Sequence, residues 1–193
     1  MTSSVLVLVG SLRSGSTNRQ IAHTALELAP EGLELRLYDG LADIPFYNED
    51  IDVEGSVPAA ATAFREAVAA ADAVLVITPE HNGTIPAVLK NAIDWSSRPF
   101  GSSPISAKPV AVVGAAFGQY GGVWSHDEAR KALGIAGANV LDDIRMSVPG
   151  SMTRFVDVHP REDEEVTTQL RAVLADLQRV LSAPADSSED AAA

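Results

Sequence analysis

An α/β fold with a doubly wound parallel sheet and helices on both faces is what this sequence predicts, and three observations carry it. Apolar runs rich in valine and leucine recur at Val5–Val9, Ala73–Thr78 and Val110–Gly114. Strands that are apolar throughout, rather than alternating, are buried on both faces, as in a parallel sheet. Segments with helical spacing separate these runs, which is the βαβ pattern. Each of the three runs also leads into a turn of glycines and polar residues.

In chain order, Val5–Val9 is the first strand, and Ile21, Ala22, Ala25, Leu26 and Ala29 recur at helical spacing after it. The turn Pro30-Glu31-Gly32 leads to a second strand, Leu33–Tyr38. Asp39 to Pro58 has no periodicity. It holds Pro45, Phe46, Tyr47 and the acidic residues Glu49, Asp50, Asp52 and Glu54, and reads either as a binding surface or as a solvated loop. Pro58–Ala71 reads as a helix with Phe64, Val68 and Ala71 on one side, and Ala73–Thr78 is the third strand, ended by Pro79. The next helix runs from Thr84 to Ser96, with Thr84 as a plausible cap and Pro86 tolerated in the first turn. Val110–Gly114 is the fourth strand, and Val123–Ile135 a helix. A weaker strand falls near Ala138–Leu141 and Met146–Val148. A last helix from Glu162 to Leu181 repeats Val166, Leu170, Val173, Leu174 and Leu177 at helical spacing. The expectation is one domain over residues 1–183, followed by a disordered tail, 184–193, of Ser, Asp, Glu and Ala.

Five such strands suit the flavodoxin-like order 2-1-3-4-5, which makes strands one, three and four neighbours at the centre of the sheet. In open α/β sheets ligands bind at the carboxyl ends of the strands, at the switch in strand order. The three polar turns follow those three strands, so they are expected to converge on one crevice. The first turn, Gly10-Ser11-Leu12-Arg13-Ser14-Gly15-Ser16-Thr17-Asn18, opens a helix with hydroxyls, an arginine and free backbone N–H groups. A phosphate is the natural occupant, since helix N-termini favour anions. A cap alone would need only one of Ser16, Thr17 or Asn18.

Composition sets limits. The 193 residues carry 14 Lys and Arg against 26 Asp and Glu, a net charge of −12 that disfavours nucleic acid as a partner. The absence of cysteine excludes disulfides, thiolate metal sites and cysteine nucleophiles. No apolar run reaches membrane length and no signal peptide is evident, so a cytoplasmic address away from membranes is expected. His126-Asp127-Glu128 lacks zinc-motif spacing and reads as a solvated helix start rather than a metal site. His23 and His159 read as surface residues, and no metal site is expected.

Spelling narrows the ligand. Gly10 to Thr17 almost matches a P-loop, but Ser16 stands where the phosphate-binding lysine belongs, and no aspartate ends the third strand. The dinucleotide pattern G-x-G-x-x-G is missing from the first turn, and the G-x-S-x-G elbow is missing throughout. A mononucleotide with one terminal phosphate and a flat ring remains. Its phosphate would lie on Ser11, Arg13, Ser16 and Asn18, and its ring against Pro79–Thr84 and Gly114–Gly122. Gly118, Gly121 and Gly122 would allow close approach to the ring, or simply form a loop before a helix.

Three segments carry a resemblance: Gly10 to Arg19; Pro79-Glu80-His81-Asn82-Gly83-Thr84-Ile85-Pro86 with its continuation through Asp94-Trp95; and Gly114 to Gly122. Together they resemble the NADPH-dependent FMN reductase family, which includes bacterial quinone, chromate and azo-dye reductases. The similarity spans Val5 to Leu181. It implies that Ser11, Arg13, Ser16, Thr17 and Asn18 hold the FMN phosphate. It also implies that Pro79, Glu80, His81, Asn82, Gly83 and Thr84 border the ribityl chain and the ring edge, and that the turn from Gly114 through Gly118, Gly121 and Gly122 completes the ring site. Many relatives carry tyrosine at His81 and an aromatic or histidine at Gly83, so a changed acceptor preference and looser flavin retention are implied. Asn82-Gly83-Thr84 also spells a glycosylation sequon, without meaning in a cytoplasmic protein.

The implied activity is ping-pong hydride transfer from NADPH or NADH to FMN, and on to a quinone, free flavin, azo dye or metal oxyanion. The flavin carries the chemistry, so no protein acid, base or nucleophile is required. Arg19, Arg98 and Lys108 are candidates for the NADPH 2′-phosphate. Rival readings are a flavodoxin-type electron carrier, which would bind FMN without oxidising NADPH, and a non-catalytic interaction protein, which would bind no flavin. The helix carrying Ile85, Val88, Leu89, Ala92, Ile93 and Trp95 is apolar around most of its girth. Relatives dimerise through this region, and a homodimer or homotetramer is expected, the alternative being a core helix in a monomer.

Overall fold

The structure, a computed structural model, describes residues 2–183; the expected disordered tail lies outside the described residues. The strands are β1 (Ser3–Val9), β2 (Leu33–Leu37), β3 (Ala73–Ile77), β4 (Pro109–Ala115), β5 (Asn139–Val140) and β6 (Ser147–Val148). The helices are α1 (Thr17–Glu27), α2 (Ala59–Ala70), α3 (Ala87–Ser96), α4 (Val123–Ile135), α5 (Ser151–Arg154) and α6 (Glu164–Ser182). All strand pairs are parallel and the order is β2-β1-β3-β4-β5, as expected of a flavodoxin-like sheet.

Both faces of the sheet are covered, which explains the unbroken apolar runs. Val5, Val7 and Val9 of β1 pack with Leu75, Ile77, Ala111 and Val113 under α1 and α6. Leu6 and Leu8, pointing the other way, pack with Val74, Val76, Val110 and Val112 under α2, α3 and α4. Phe64, Leu89 and Trp95 are fully buried on that second side. Each such side chain contributes roughly 1.5–3 kcal/mol by leaving water.

The fifth strand is split. Two-residue β5 pairs with the start of β4 and two-residue β6 with its end, while Asp142 to Arg145 leave the ladder between them; Leu141 N still donates to Val110 O and Met146 O still accepts from Gly114 N. The Val112 carbonyl, facing that gap, receives Arg130 Nη2 at 2.5 Å. Arg130 is itself buried beside Asp127, whose Oδ1 is 3.1 Å from Nη1. A guanidinium thus stands in for the missing stretch of strand.

Two helix starts fall two or more residues later than expected. Thr84 does not cap α3, which starts after Pro86 with no side-chain cap. The last helix starts at Glu164, because Asp163 caps it by accepting from Val166 N and is held in turn by the Arg154 guanidinium at 2.6 and 2.7 Å. Arg154 keeps the Asp163 carboxyl below its ordinary range. The long loop after β2 contains two short 3-10 turns, Gly40–Asp43 and Glu49–Ile51, and is anchored rather than loose. Asn91 Oδ1 accepts from Tyr47 N, Trp95 Nε1 donates to Pro45 O, and Arg65 grips Asp52 with two bonds of 2.7 Å.

Candidate active site

The turns after β1, β3 and β4 emerge at the carboxyl edge of the sheet, where the central strands place them side by side. In the first, Gly10 N continues the ladder to Ile77 O, and Ser16 N donates to Arg13 O, closing a turn onto α1. Ser16 Oγ accepts from Arg19 N, so its hydroxyl caps α1 and is buried. The amides of Gly15, Thr17 and Asn18 have no hydrogen-bond partner among the described residues. Arg13 is exposed and makes no ion pair or side-chain hydrogen bond among them, its Nη1 reaching back over Gly15. Free amides, a free guanidinium and the hydroxyls of Ser11, Ser14 and Thr17 therefore share one opening at a helix N-terminus, the chemistry of an oxyanion site.

Asn18 does something else with its side chain. Its amide pairs with Ala115, Nδ2 donating to the carbonyl and Oδ1 accepting from N, both at 2.8 Å, and only 3% of the residue is exposed. The side chain seals the first turn onto β4, and the backbone N–H is left without a partner among the described residues.

The second turn is a tight hairpin. His81 N donates to Thr84 O at 3.0 Å and Thr84 N to His81 O at 3.1 Å, with Asn82 at φ 54 and Gly83 at φ 78. Two consecutive positive φ values are the reason Asn-Gly occupies a type I′ turn. Behind it, Ser125 Oγ donates to Pro79 O at 2.9 Å and Ser125 N to Glu80 Oε2 at 3.4 Å, so α4 holds this turn in place. His81 joins Ser11, Leu12, Arg13 and the Pro86–Val88 start of α3 around a cleft of ≈ 430 Å³.

The third turn is shaped by close packing within the chain. At Gly114 a Cβ would lie 2.1 Å from Thr78 O and 2.9 Å from Asn18 Oδ1, and at Gly121, with φ +64, 2.7 Å from the Ser147 carbonyl carbon. These glycines, and Gly122 against His126, are demanded by packing inside the chain. Gly118 stands in open space beside exposed Phe117 and Tyr120.

His126 corrects the reading of a solvated helix start: it is fully buried beneath the site. Nε2 is 3.1 Å from Thr78 O and Nδ1 is 2.9 Å from Ser147 Oγ. A carbonyl only accepts, so Nε2 carries the hydrogen and Nδ1 accepts from the hydroxyl. Burial pushes its pKa down to about 4, with the nearby Arg130 adding to the shift against opposing pulls from Thr78 O and Asp127. Nothing in the neighbouring sequence signals this, because Asp127 and Glu128 beside it are exposed.

Of the three cations considered for a 2′-phosphate, Lys108 precedes β4 at the opposite end of the sheet and binds the Ala71 carbonyl. Arg19 is paired with Asp39, and Arg98 lies past the end of α3, donating to the Tyr47 hydroxyl at 3.3 Å. The apolar girth of α3 is largely used within the chain, since Leu89, Ala92, Ile93 and Trp95 are all buried. A groove of ≈ 610 Å³ does lie between α3 and α4, with Phe100 and Ile135 on its wall, 92% and 81% exposed.

This fold with an oxyanion opening beside a cleft at the carboxyl edge of the sheet defines a flavodoxin-like protein. Residues 3–153 match the family model described as NADPH-dependent FMN reductase, and the chain belongs to that family. A quinone reductase of Pseudomonas putida is 48% identical over 130 residues, covering 67% of this chain and 69% of the relative. An NAD(P)H-dependent FMN reductase of Pseudomonas aeruginosa is 41% identical over 162 residues, covering 84% and 75%. Among solved structures, FerB, a flavoenzyme NAD(P)H:(acceptor) oxidoreductase from Paracoccus denitrificans, superposes with a TM-score of 0.77 at 29% identity, covering 93% of this chain and 97% of the other. The protein is accordingly an oxidoreductase that works with FMN and NAD(P)H.

Proposed function

We propose that this enzyme transfers electrons from NADPH or NADH through FMN to a small quinone, with the FMN phosphate seated at the start of α1. The observation that supports this seat is the group of unpartnered amides at Gly15, Thr17 and Asn18 beneath the free Arg13 guanidinium. A dianionic phosphate fits that donor set, and the hydroxyls of Ser11 and Thr17 add to it. Ser16 and Asn18 serve through the backbone they hold in place, Ser16 as cap and Asn18 as the tie to Ala115. Pro79, Glu80, His81, Asn82, Gly83 and Thr84 border the ribityl chain and one ring edge, held by Ser125. Gly114 and Gly118 bring the third turn alongside, with Gly121 and Gly122 fixing its path. When bound, FMN supplies the hydride and electron chemistry, and the residues here bind, orient and screen it from water.

The quinone assignment follows the named activity of the P. putida relative. Free flavin, azo dyes and metal oxyanions are acceptors to be ranked beside it. Reduction of a soluble quinone with NADPH suits a cytoplasmic protein, and among the described residues no helix is long and apolar enough to cross a membrane. We assign a homodimer or homotetramer to the groove bearing Phe100 and Ile135, since such exposed apolar side chains favour a protein partner. Light scattering on the purified protein reads that state.

The test is reconstitution. Purified protein titrated with FMN should quench flavin fluorescence with a one-to-one end point, then oxidise NADPH steadily only when a quinone is present. Protein that binds no flavin ends the assignment. Protein that binds flavin but does not turn over NADPH is an electron carrier instead.

A further inference from the structure

Asn82-Gly83 is the one asparagine–glycine pair in the sequence; the other asparagines precede Arg19, Glu49, Ala92 and Val140. Both residues are exposed at the tip of the hairpin, and neither the Asn82 side chain nor the Gly83 amide has a hydrogen-bond partner among the described residues. A Cβ built on Gly83 would meet nothing within 4 Å, so no other part of the described chain crowds the turn on that side. The missing side chain leaves that nitrogen unshielded. These are the conditions for attack on the neighbouring side-chain amide.

We infer that Asn82 is a self-modification site, where deamidation ages the flavin-binding turn. The Gly83 nitrogen attacks Asn82 Cγ and loses its proton, a C–N bond forms, and the side-chain amide leaves as ammonia. Water then opens the resulting imide. Attack at Cγ yields aspartate, and attack at the main-chain carbonyl yields isoaspartate. No oxidant or reductant is involved.

Either product alters the turn. Aspartate brings a carboxylate to a crevice edge that already carries Glu80, on the side where an anionic cofactor approaches. Isoaspartate inserts an extra carbon into the main chain between His81 and Thr84, and the paired bonds of 3.0 and 3.1 Å cannot both survive it. The loss of flavin grip rests on the site proposed above, whereas the deamidation itself does not.

The experiment incubates the full-length protein, with and without excess FMN, in warm, mildly alkaline buffer and maps its peptides by mass. Exposed Asn48, which precedes Glu49, is the internal reference. Asn82 should lose its amide at least about tenfold faster than Asn48, because glycine leaves the attacking nitrogen open. An isoaspartyl-specific methyltransferase should label the same peptide. Flavin retention should fall in proportion to conversion, added FMN should slow it, and Asn82→Gln should keep its side-chain amide through the same incubation. Equal rates at Asn82 and Asn48 overturn the inference. Conversion without any change in flavin retention overturns its functional half, provided the fresh protein binds FMN. A fresh protein that binds none overturns the proposed function while the mass readout still decides the chemistry.

Discussion

The Asn18 side chain pairs with the Ala115 main chain as a neighbouring strand would, one bond donated and one accepted, each at 2.8 Å across 97 positions of sequence. Arg13, five residues earlier, has no partner among the described residues. Two polar residues of one turn therefore divide into a structural tie and a free cation, the group proposed for the FMN phosphate, and substitutions should separate them. Asn18→Ala should lower unfolding free energy by roughly 2–4 kcal/mol, because two buried main-chain groups lose their partners. Arg13→Ala should leave the denaturation midpoint in place and weaken FMN by roughly 1.5–3 kcal/mol, the loss of a charge-assisted bond. Urea melts paired with flavin titrations read both.

His126 makes stability depend on pH in a defined direction. Its folded pKa, about 4, lies below the ordinary 6.5, so the unfolded chain binds the proton first. The neutral ring's contribution is present in full above 6.5 and drains away as pH falls toward 4. The span corresponds to roughly 3 kcal/mol at most. His126→Gln, whose amide can also donate to Thr78 O and accept from Ser147, should flatten that part of the stability curve, measured by thermal melts across the interval.

Gly114 allows β4 to pass Thr78 at a distance no side chain tolerates. Gly114→Ala should cost roughly 2–4 kcal/mol of stability through forced separation of the two strands. Gly118→Ala, with nothing within 4 Å, should cost little. The contrast is read by parallel melts of the two variants.

Arg65 holds the loop after β2 by gripping Asp52 and donating to Trp95 O at 2.9 Å. The pair keeps the Asp52 carboxyl below its ordinary range, so its contribution is present above the unfolded carboxylate pKa and lost as pH drops through the lowered one. Asp52→Ala leaves a mostly buried guanidinium without its carboxylate and should destabilise by roughly 3 kcal/mol. Limited proteolysis should then cut between Asp39 and Pro58 first.

How much of this was legible in the residues follows from the range of the forces involved. The buried strands and the helices over them show as local periodicity, and the convergence of three turns follows from strand order. The split of the fifth strand does not show, because two-residue pieces have no period and Arg130 fills the gap from another element. Nor do the roles of Asn18, Ser125 and His126, whose partners lie 97, 46 and 48 residues away. Thr84 looked like a cap because hydroxyls commonly are, yet the positive φ values at Asn82 and Gly83 commit it to the hairpin.

The interrupted fifth strand has a further consequence for how molecules of this protein can meet. Two residues of β5, an unpaired stretch and two residues of β6 offer an approaching chain no continuous row of amides to zip onto. That flank is thereby guarded against runaway stacking of one sheet upon another. Association on that side has to proceed through helices, where a closed and finite assembly is possible.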